Sequence, residues 1–340
     1  MHTTKKIVIS LFGLAVGFSG AFLAFRDTTL SYNSLSSTAA AINILKPKPP
    51  AVHLTFVGDI MLGRGVKTSV YKNFAGDYAK LFEYTAPFFT ADDITFANLE
   101  GPVSDRGRDM GSKFSFHFEP KIAPVLKASG IDIVSVANNH EGDWSRIAYD
   151  DTLKYLTDAG VLFAGGGENY AKAIEPTIIE KNGVTIGFLG FTDVGPHWMP
   201  AGEKQSGVLL ADDPNFDSII KNASTKVDFL IVSFHFGVEY NVGKHTERQA
   251  LLAHKAIDDG AKIIIGHHPH VIGDTENYNG GFIAYSLGNF IFDQPFSKDT
   301  MQGGFLEISL DTTGILSTEL KTIKSSSQYA PSELLSKATE

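Results

Sequence analysis

The sequence predicts an α/β sandwich, built as one continuous domain behind an N-terminal membrane helix. Three observations carry this expectation. Short β-branched runs, apolar on both faces as strands buried between layers are, recur from Val52 to about Lys324. In the first half they alternate with helical stretches, and the second half is richer in strands, which favours a layered sandwich over a barrel. Ahead of them stands an uncharged, largely apolar run from Ile7 to Phe25.

That first run follows Lys5 and Lys6 and is closed by Arg26 and Asp27. A helix needs about 20 residues to cross a bilayer, whereas a signal-peptide core spans roughly 7–15. Residues 1–26 therefore read as an uncleaved signal anchor, with Ser19-Gly20-Ala21 as the cleavage site of the alternative, a cleaved signal. Gly13, Gly17 and Gly20 weaken a third reading, a buried soluble helix. Two lysines before the span and no excess of positive charge after it put the N-terminus in the cytoplasm. The expected location is the cell membrane, single-pass, with the domain on the extracytoplasmic side. Residues 27–50, rich in Ser, Thr and Ala and ending in Lys-Pro-Lys-Pro-Pro, read as a flexible linker.

Residues 51–324 form the expected domain. Its strand-like runs are 53–57, 93–97, 131–137, 161–164, 177–180, 184–191, 229–234, 262–265, 282–286 and 305–310. One helix is expected over Ile147–Ala159, stopped by Gly160. Another opens at the capping-box spacing Thr246-Glu247-Arg248-Gln249 and stops at Gly260. Residues 325–340 read as a polar, frayed tail.

The 340 residues are 43% apolar, enough for a sizeable core. A formal net charge of −9 with no Lys/Arg block argues against nucleic acid as a partner, because a phosphate backbone needs a basic face. The absence of cysteine excludes disulfides, thiolate catalysis and Cys-based metal sites. No P-loop pattern is present, so nothing points to an ATP-dependent ligase.

The polar residues cluster where the buried runs end. Gly58-Asp59 follows Val57, Asn98-Leu99-Glu100 follows Ala97, Asn138-Asn139-His140 follows Ala137, His235 follows Phe234, and Gly266-His267-His268-Pro269-His270 follows Ile265. In open α/β sheets, sites form at the carboxyl ends of strands. A lone Asp there is usually a turn former or cap, and Asn138-Asn139 alone could be an ordinary turn. A single buried His more often satisfies the core than a metal, but three His in four residues favour a metal. Asp59 and Glu100 offer anionic oxygens, Asn139 a carbonyl oxygen, and His235, His268 and His270 imidazole nitrogens. Such mixed sets suit zinc, manganese or iron better than calcium. His140, beside Asn139, is placed to act as a general acid or to stabilise developing charge. Asp143 either holds a histidine or caps the following helix, and Asn289 either braces the site or shapes a turn. His267 is a further supporting candidate, as is Asn98. His117 could face the cleft, while His245 and His254 suit surface or packing roles.

Six stretches carry a resemblance: Gly58–Leu62, Ala97–Pro102, Val136–His140, His235–Tyr240, Gly266–His270 and Ala284–Phe290. In this order they resemble the capsule-biosynthesis CapA/PgsA family, associated with bacterial poly-γ-glutamate, from about Val52 to Asp293. That family is similar in turn to the calcineurin-like metallophosphoesterases. The resemblance implies an α/β/β/α sandwich of two mixed sheets flanked by helices. It also implies that Asp59 matches the first metal-binding aspartate, Asn139-His140 the Asn-His pair, His235 the isolated metal histidine, and His268 with His270 the final His-x-His. Two departures stand out. Ile60-Met61 follows Asp59 where the superfamily has Asp-x-His, and Glu100 takes the strand end of the bridging aspartate. The centre is accordingly expected to hold one or two divalent transition metal ions.

Three functions fit. The first is an outer-face component of poly-γ-glutamate capsule biosynthesis or export, which would need membrane-embedded synthesis or export proteins as partners. The second is a metal-dependent hydrolase acting on a phosphoester or another envelope substrate. The third is a non-catalytic pocket for metal or an anionic polymer.

Overall fold

Along the chain, β1 (Val52–Ile60), α1 (Arg64–Asn73), α2 (Ala86–Phe89), β2 (Ile94–Leu99), α3 (Ile122–Ala128), β3 (Ile133–Ser135), α4 (Ser145–Ala159) and β4 (Leu162–Ala164) come first. The middle holds β5 (Gly166–Gly167), α5 (Tyr170–Ala173), β6 (Thr177–Lys181), β7 (Val184–Thr192), β8 (Gly207–Val208), α6 (Phe216–Ser224), β9 (Phe229–His235), α7 (Glu247–Asp258) and β10 (Ile263–His267). The last strands are β11 (Thr275–Tyr278), β12 (Gly281–Ala284), β13 (Asn289–Ile291), β14 (Gln302–Asp311), β15 (Gly314–Ser325) and β16 (Pro331–Leu335). This computed structural model describes residues 50–335. The predicted signal anchor and almost all of the linker lie outside them. No helix among the described residues is long and apolar enough to cross a membrane.

The strands form an eight-stranded sheet, ordered β16-β15-β14-β1-β2-β3-β4 with β13 also beside β1, and a six-stranded sheet, ordered β11-β12-β10-β9-β7-β6. β5 and β8 make a separate two-stranded piece. Both large sheets are mixed. β1 to β4 run parallel and β14 antiparallel to β1, while β7, β9, β10 and β12 run parallel between antiparallel β6 and β11.

Three buried clusters define the layers. Val57, Ala97 and Val134 of the first sheet pack with Val66, Leu126 and Leu156 from α1, α3 and α4. Leu230, Val232 and Phe234 of the second pack with Ile219, Ile220 and Leu252 from α6 and α7. Between the sheets lie Leu54, Phe56, Ile94, Phe96, Phe188, Ile231, Ile263 and Ile265. Phe96 and Phe188 stack across that layer at 5.8 Å. Both faces of each central strand are therefore apolar, which is why these strands read as continuous hydrophobic runs.

The sequence-level helix signals work as expected. In α7 the Thr246 hydroxyl accepts from the Gln249 amide at 3.2 Å, and the Gln249 side chain accepts from the Thr246 amide at 2.9 Å. α4 ends at Gly160 with φ 73°, a left-handed stop that glycine adopts without cost. The tail differs from expectation. Residues 331–335 are not frayed but form β16, paired antiparallel with β15.

Candidate functional site

Strand parity explains which side chains reach the site. Along β9, Leu230, Val232 and Phe234 face the helices, so Phe229, Ile231 and the terminal His235 share the inter-sheet face. Along β10, Ile263 and Ile265 face inward, and His267 continues that face. His267 and His235 are register partners. On β2, Ile94 and Phe96 face inward, which carries Asn98 and then Glu100 to the same side. β1 needs a correction to do likewise, because Leu54 and Phe56 face inward and simple alternation would turn Asp59 away. Its register shifts between Phe56 and Asp59, and this irregularity re-aims the carboxylate. The turn requires Gly58, since a Cβ there would lie 2.0 Å from the Gly288 carbonyl oxygen. The same oxygen accepts the Asp59 amide at 2.9 Å.

Asp59 is the hub. Its Oδ1 accepts from Asn98 Nδ2 at 2.9 Å and pairs with His267 Nδ1 at 3.0 Å. Its Oδ2 accepts from the His268 amide at 3.3 Å and lies 3.3 Å from His270 Nδ1. Burial alone would raise this carboxyl, but hydrogen bonds from His267 and His270 hold it well below the usual range. Glu100 goes the other way, pushed well up by burial and then by the charge of Asp59. Its Oε1 lies 3.8 Å from both His140 Nε2 and His270 Nε2. Burial, reinforced by His268, pushes His235 well down. His268 is pushed down to about 3 by burial and then by His270. Both imidazoles are thus neutral near pH 7, with lone pairs available as ligands.

The supporting residues orient these groups. His270 Nδ1 lies 3.0 Å from Asn289 Oδ1. With acceptors on that side, Nδ1 carries the proton and Nε2 is left as the donor atom toward the site. Asn289 is itself held through its amide by Gln294 and the Thr300 carbonyl, each at 3.0 Å. His140 Nδ1 lies 2.6 Å from Asp143 Oδ2, and its ring stacks on Phe116 at 3.8 Å. Asp143 also accepts from Ser112 at 2.5 Å and from the Phe116 amide at 2.9 Å. Of its two possible roles, it takes the one of holding a histidine, because Trp144 is the α4 N-cap and makes no side-chain cap bond. The adjacent asparagines divide as well. Asn138 is spent on the Leu99 carbonyl at 2.8 Å, on Asn98 and on the His140 amide, whereas Asn139 Oδ1 is buried with no hydrogen-bond partner among the described residues.

His268 and His270 have φ of 96° and 60°. Left-handed backbone in bulky residues costs on the order of 1–3 kcal/mol each and gathers at functional sites. The remaining sequence candidates fall elsewhere. His117 stacks on Trp144 at 3.9 Å. His245 stacks on Tyr285 and His254 on Tyr278, in packing roles. Sequence reasoning passed over three neighbours. Phe116 lies in an aromatic run that gave no polar signal. Glu141 follows His140 and is wholly buried, with burial pushing its carboxyl well up. Glu239 lies in the His235–Tyr240 stretch, four positions past the histidine. A groove of about 760 Å³ is lined by Arg146, Lys154, Glu168, Lys172 and Lys204 and not by the converging donors. The buried donor set locates the site better than volume does, because chemistry needs those atoms together.

Residues 53–294 match the family model of the bacterial capsule synthesis protein PGA_cap. The chain belongs to that family. Among PGA_cap relatives, it is 36% identical over 263 residues to the PGA biosynthesis protein CapA of Bacillus subtilis (strain 168), covering 76% of this chain and 68% of that protein. It is 34% identical over 256 residues to the capsule biosynthesis protein CapA of Bacillus anthracis, covering 72% of this chain and 61% of that one. The PGA_cap chain therefore matches over 61–68% of the length of these curated relatives. Its fold is similar to that of a novel phosphatase from Mycoplasma pneumoniae, with a TM-score of 0.50 at 16% identity over 82% of this chain and 96% of the other.

The residues fit a divalent metal. Asp59, Glu100 and His235 each offer a donor atom, all within 4.8 Å of one another. Glu100 Oε1, Asn139 Oδ1, His235 Nε2, His267 Nε2 and His268 Nδ1 are buried with no hydrogen-bond partner among the described residues. Leaving such groups unsatisfied costs about 1–3 kcal/mol apiece, a cost that ligation removes. Mixed oxygen and imidazole donors match manganese, zinc or iron.

Proposed function

We propose that this protein is a component of poly-γ-glutamate capsule biosynthesis or export, held by its N-terminal segment at the outer face of the cell membrane. Its buried centre binds one or two divalent transition metal ions and hydrolyses an anionic polymer or phosphoester bond. The observation that carries the site reading is the set of buried, unpartnered donor atoms on Glu100, Asn139, His235 and His268. The capsule reading rests on membership of the PGA_cap family. The outer-face placement rests on the apolar run Ile7–Phe25 behind two lysines.

In this reading Asp59, Glu100, Asn139, His235, His268 and His270 hold the metal, and Asn98, His267 and Asn289 fix their orientation. Bound there, a divalent ion supplies Lewis-acid polarisation and a water whose pKa falls to about 7. Asp143 holds the His140 ring through Nδ1, so Nε2 is the atom that gives or takes a proton on the site side. Phe116 against that ring restricts its motion and keeps water from one face. Polymer synthesis itself belongs to membrane-embedded partners.

The test is complementation in a polyglutamate-producing strain deleted for this gene. Wild-type protein is expected to restore surface polymer, and His268→Ala, expressed to the same level, to leave it absent or altered in chain length. Surface polymer unchanged by the deletion would sink the capsule reading. Full restoration by His268→Ala would leave the protein a scaffold. Purified full chain with added manganese or zinc is expected to cleave a generic phosphoester, and His140→Ala to lose that turnover while keeping its metal.

A further inference from the structure

The donor set has a gap on the His270 side. The resemblance expects a histidine two residues after Asp59, but Ile60 and Met61 stand there, both wholly buried in the cluster between the first sheet and its helices. No second ligand can come from Ile60 or Met61 at that end of β1 without emptying part of the core. A carboxylate arrives instead from the other sheet.

Glu239 lies on the loop leaving β9, and that loop is tied to the His267–His270 turn at both ends. The Phe236 amide donates to the His267 carbonyl at 3.1 Å, and the Tyr240 amide donates to the Pro269 carbonyl at 2.8 Å. Positive φ at Gly237, Tyr240, His268 and His270 (98°, 65°, 96° and 60°) lets both segments turn sharply enough to stay in contact. The outcome is a second triad, with one donor atom each from Glu239, His268 and His270 lying within 4.8 Å of one another. The two imidazoles are buried and Glu239 is exposed. An independent observation points to a ligand, because His268 is 7% exposed and its Nδ1 has no partner among the described residues.

We propose that Glu239 is a metal ligand that joins His268 and His270 at a second cation position, beside the one at Asp59, Glu100 and His235. This rests on the metal-site reading above. It replaces the missing strand-end histidine with a carboxylate from the neighbouring loop, and it makes the two positions unequal. The first triad brings two carboxylates in a buried setting. The second brings one exposed carboxylate and two imidazoles. Coulomb attraction at equal distance scales with charge and weakens with solvent exposure, so the second ion is held more loosely and exchanges faster. It is also the ion nearer solvent, where an incoming anionic substrate meets it first.

The test is calorimetric titration of the full, detergent-solubilised chain with Mn²⁺, with metal content measured after desalting, for wild type, Glu239→Gln and Glu239→His. Because Glu239 is exposed, neither substitution disturbs the core, and a thermal melt checks this. Wild type is expected to show a tight and a weak event. Glu239→Gln is expected to weaken the second by tenfold or more while keeping the first, and Glu239→His to recover it without the negative charge. Both events unchanged in Glu239→Gln would overturn the assignment. So would a weak event that Glu239→His fails to recover, since charge alone would then explain the loss. Wild type that binds no metal overturns the metal-site reading together with this one, whereas one tight event insensitive to position 239 overturns only this one.

Discussion

The two sheets bring unlike chemistry to the seam where they meet. The eight-stranded sheet delivers oxygen, with Asp59, Asn98, Glu100 and Asn139 at or just beyond the ends of β1, β2 and β3. The six-stranded sheet delivers nitrogen, with His235 and His267 to His270 at the ends of β9 and β10. The oxygen half holds the negative charge and the tension between its members, since Asp59 stays ionised while burial and that charge push Glu100 up. In the nitrogen half, burial pushes His235 and His268 down. Neither half holds a full ligand set, and the Asp59–His267 contact at 3.0 Å joins them. A site split this way exists only when the sheets are packed, so metal affinity becomes a measure of sandwich assembly.

The largest effect comes from removing a ligand from either half. Asp59→Ala and His235→Ala, one from each half of the first triad, are each expected to reduce bound metal in the full chain to below about a tenth of an equivalent, beyond the roughly 10–100-fold that orienting residues cost. Elemental analysis by mass spectrometry after desalting reads this directly. Equal losses would show that the halves act together. Metal retained in His235→Ala and lost in Asp59→Ala would break the comparison and leave the oxygen half as the whole site.

The lowered pKa of His268 has a consequence for acid stability. In metal-free protein, folded His268 protonates only near about 3, whereas the unfolded residue protonates near 6.5. Between those values the unfolded chain binds the extra proton, so this contribution is fully present above 6.5 and is lost as pH falls toward 3. At about 1.36 kcal/mol per pH unit, the interval caps the loss at about 5 kcal/mol. Urea unfolding of chelator-treated protein from pH 7 to pH 4 is expected to show falling stability, with a shallower slope in His268→Gln. An identical slope in the variant would remove His268 from the account.

The same contrast decides what was legible in the sequence. Buried strands announce themselves by apolar runs, so β1, β2, β7, β9, β10, β12 and β14 were read within a few residues, and with them the strand ends bearing Asp59, Glu100, His235 and His268. β15 and β16 were not, because they form the exposed edge of the first sheet and carry polar residues such as Ser317, Thr318, Glu319 and Glu333. Their pairing is dictated by β14, a tertiary fact with no local period. Glu239 was illegible for a related reason. It is an exposed loop carboxylate of an ordinary kind, and only the ties of its loop to the His267–His270 turn bring it beside two imidazoles. Asn139 rather than Asn138 was already named as the carbonyl donor from sequence, and hydrogen bonds occupy Asn138.

The smallest effect separates stability from function inside the oxygen half. Glu100 is wholly buried and its folded carboxyl is raised, so its contribution to stability is present below the unfolded value of 4.5 and is lost as pH rises through the folded one. At neutral pH the ionised form is therefore a cost in the absence of metal. Glu100→Gln keeps the shape and removes the charge beside Asp59, and it is expected to stabilise the metal-free protein at pH 7 by on the order of 1–3 kcal/mol. The same variant loses an anionic ligand and is expected to bind metal poorly. Denaturation of both proteins with and without Mn²⁺ checks the two signs together, since added metal should raise the wild-type midpoint and leave the variant unmoved. A Glu100→Gln protein that is less stable without metal would mean that Glu100 serves the packing of the seam, and the charge asymmetry between the halves would then need another cause than metal binding.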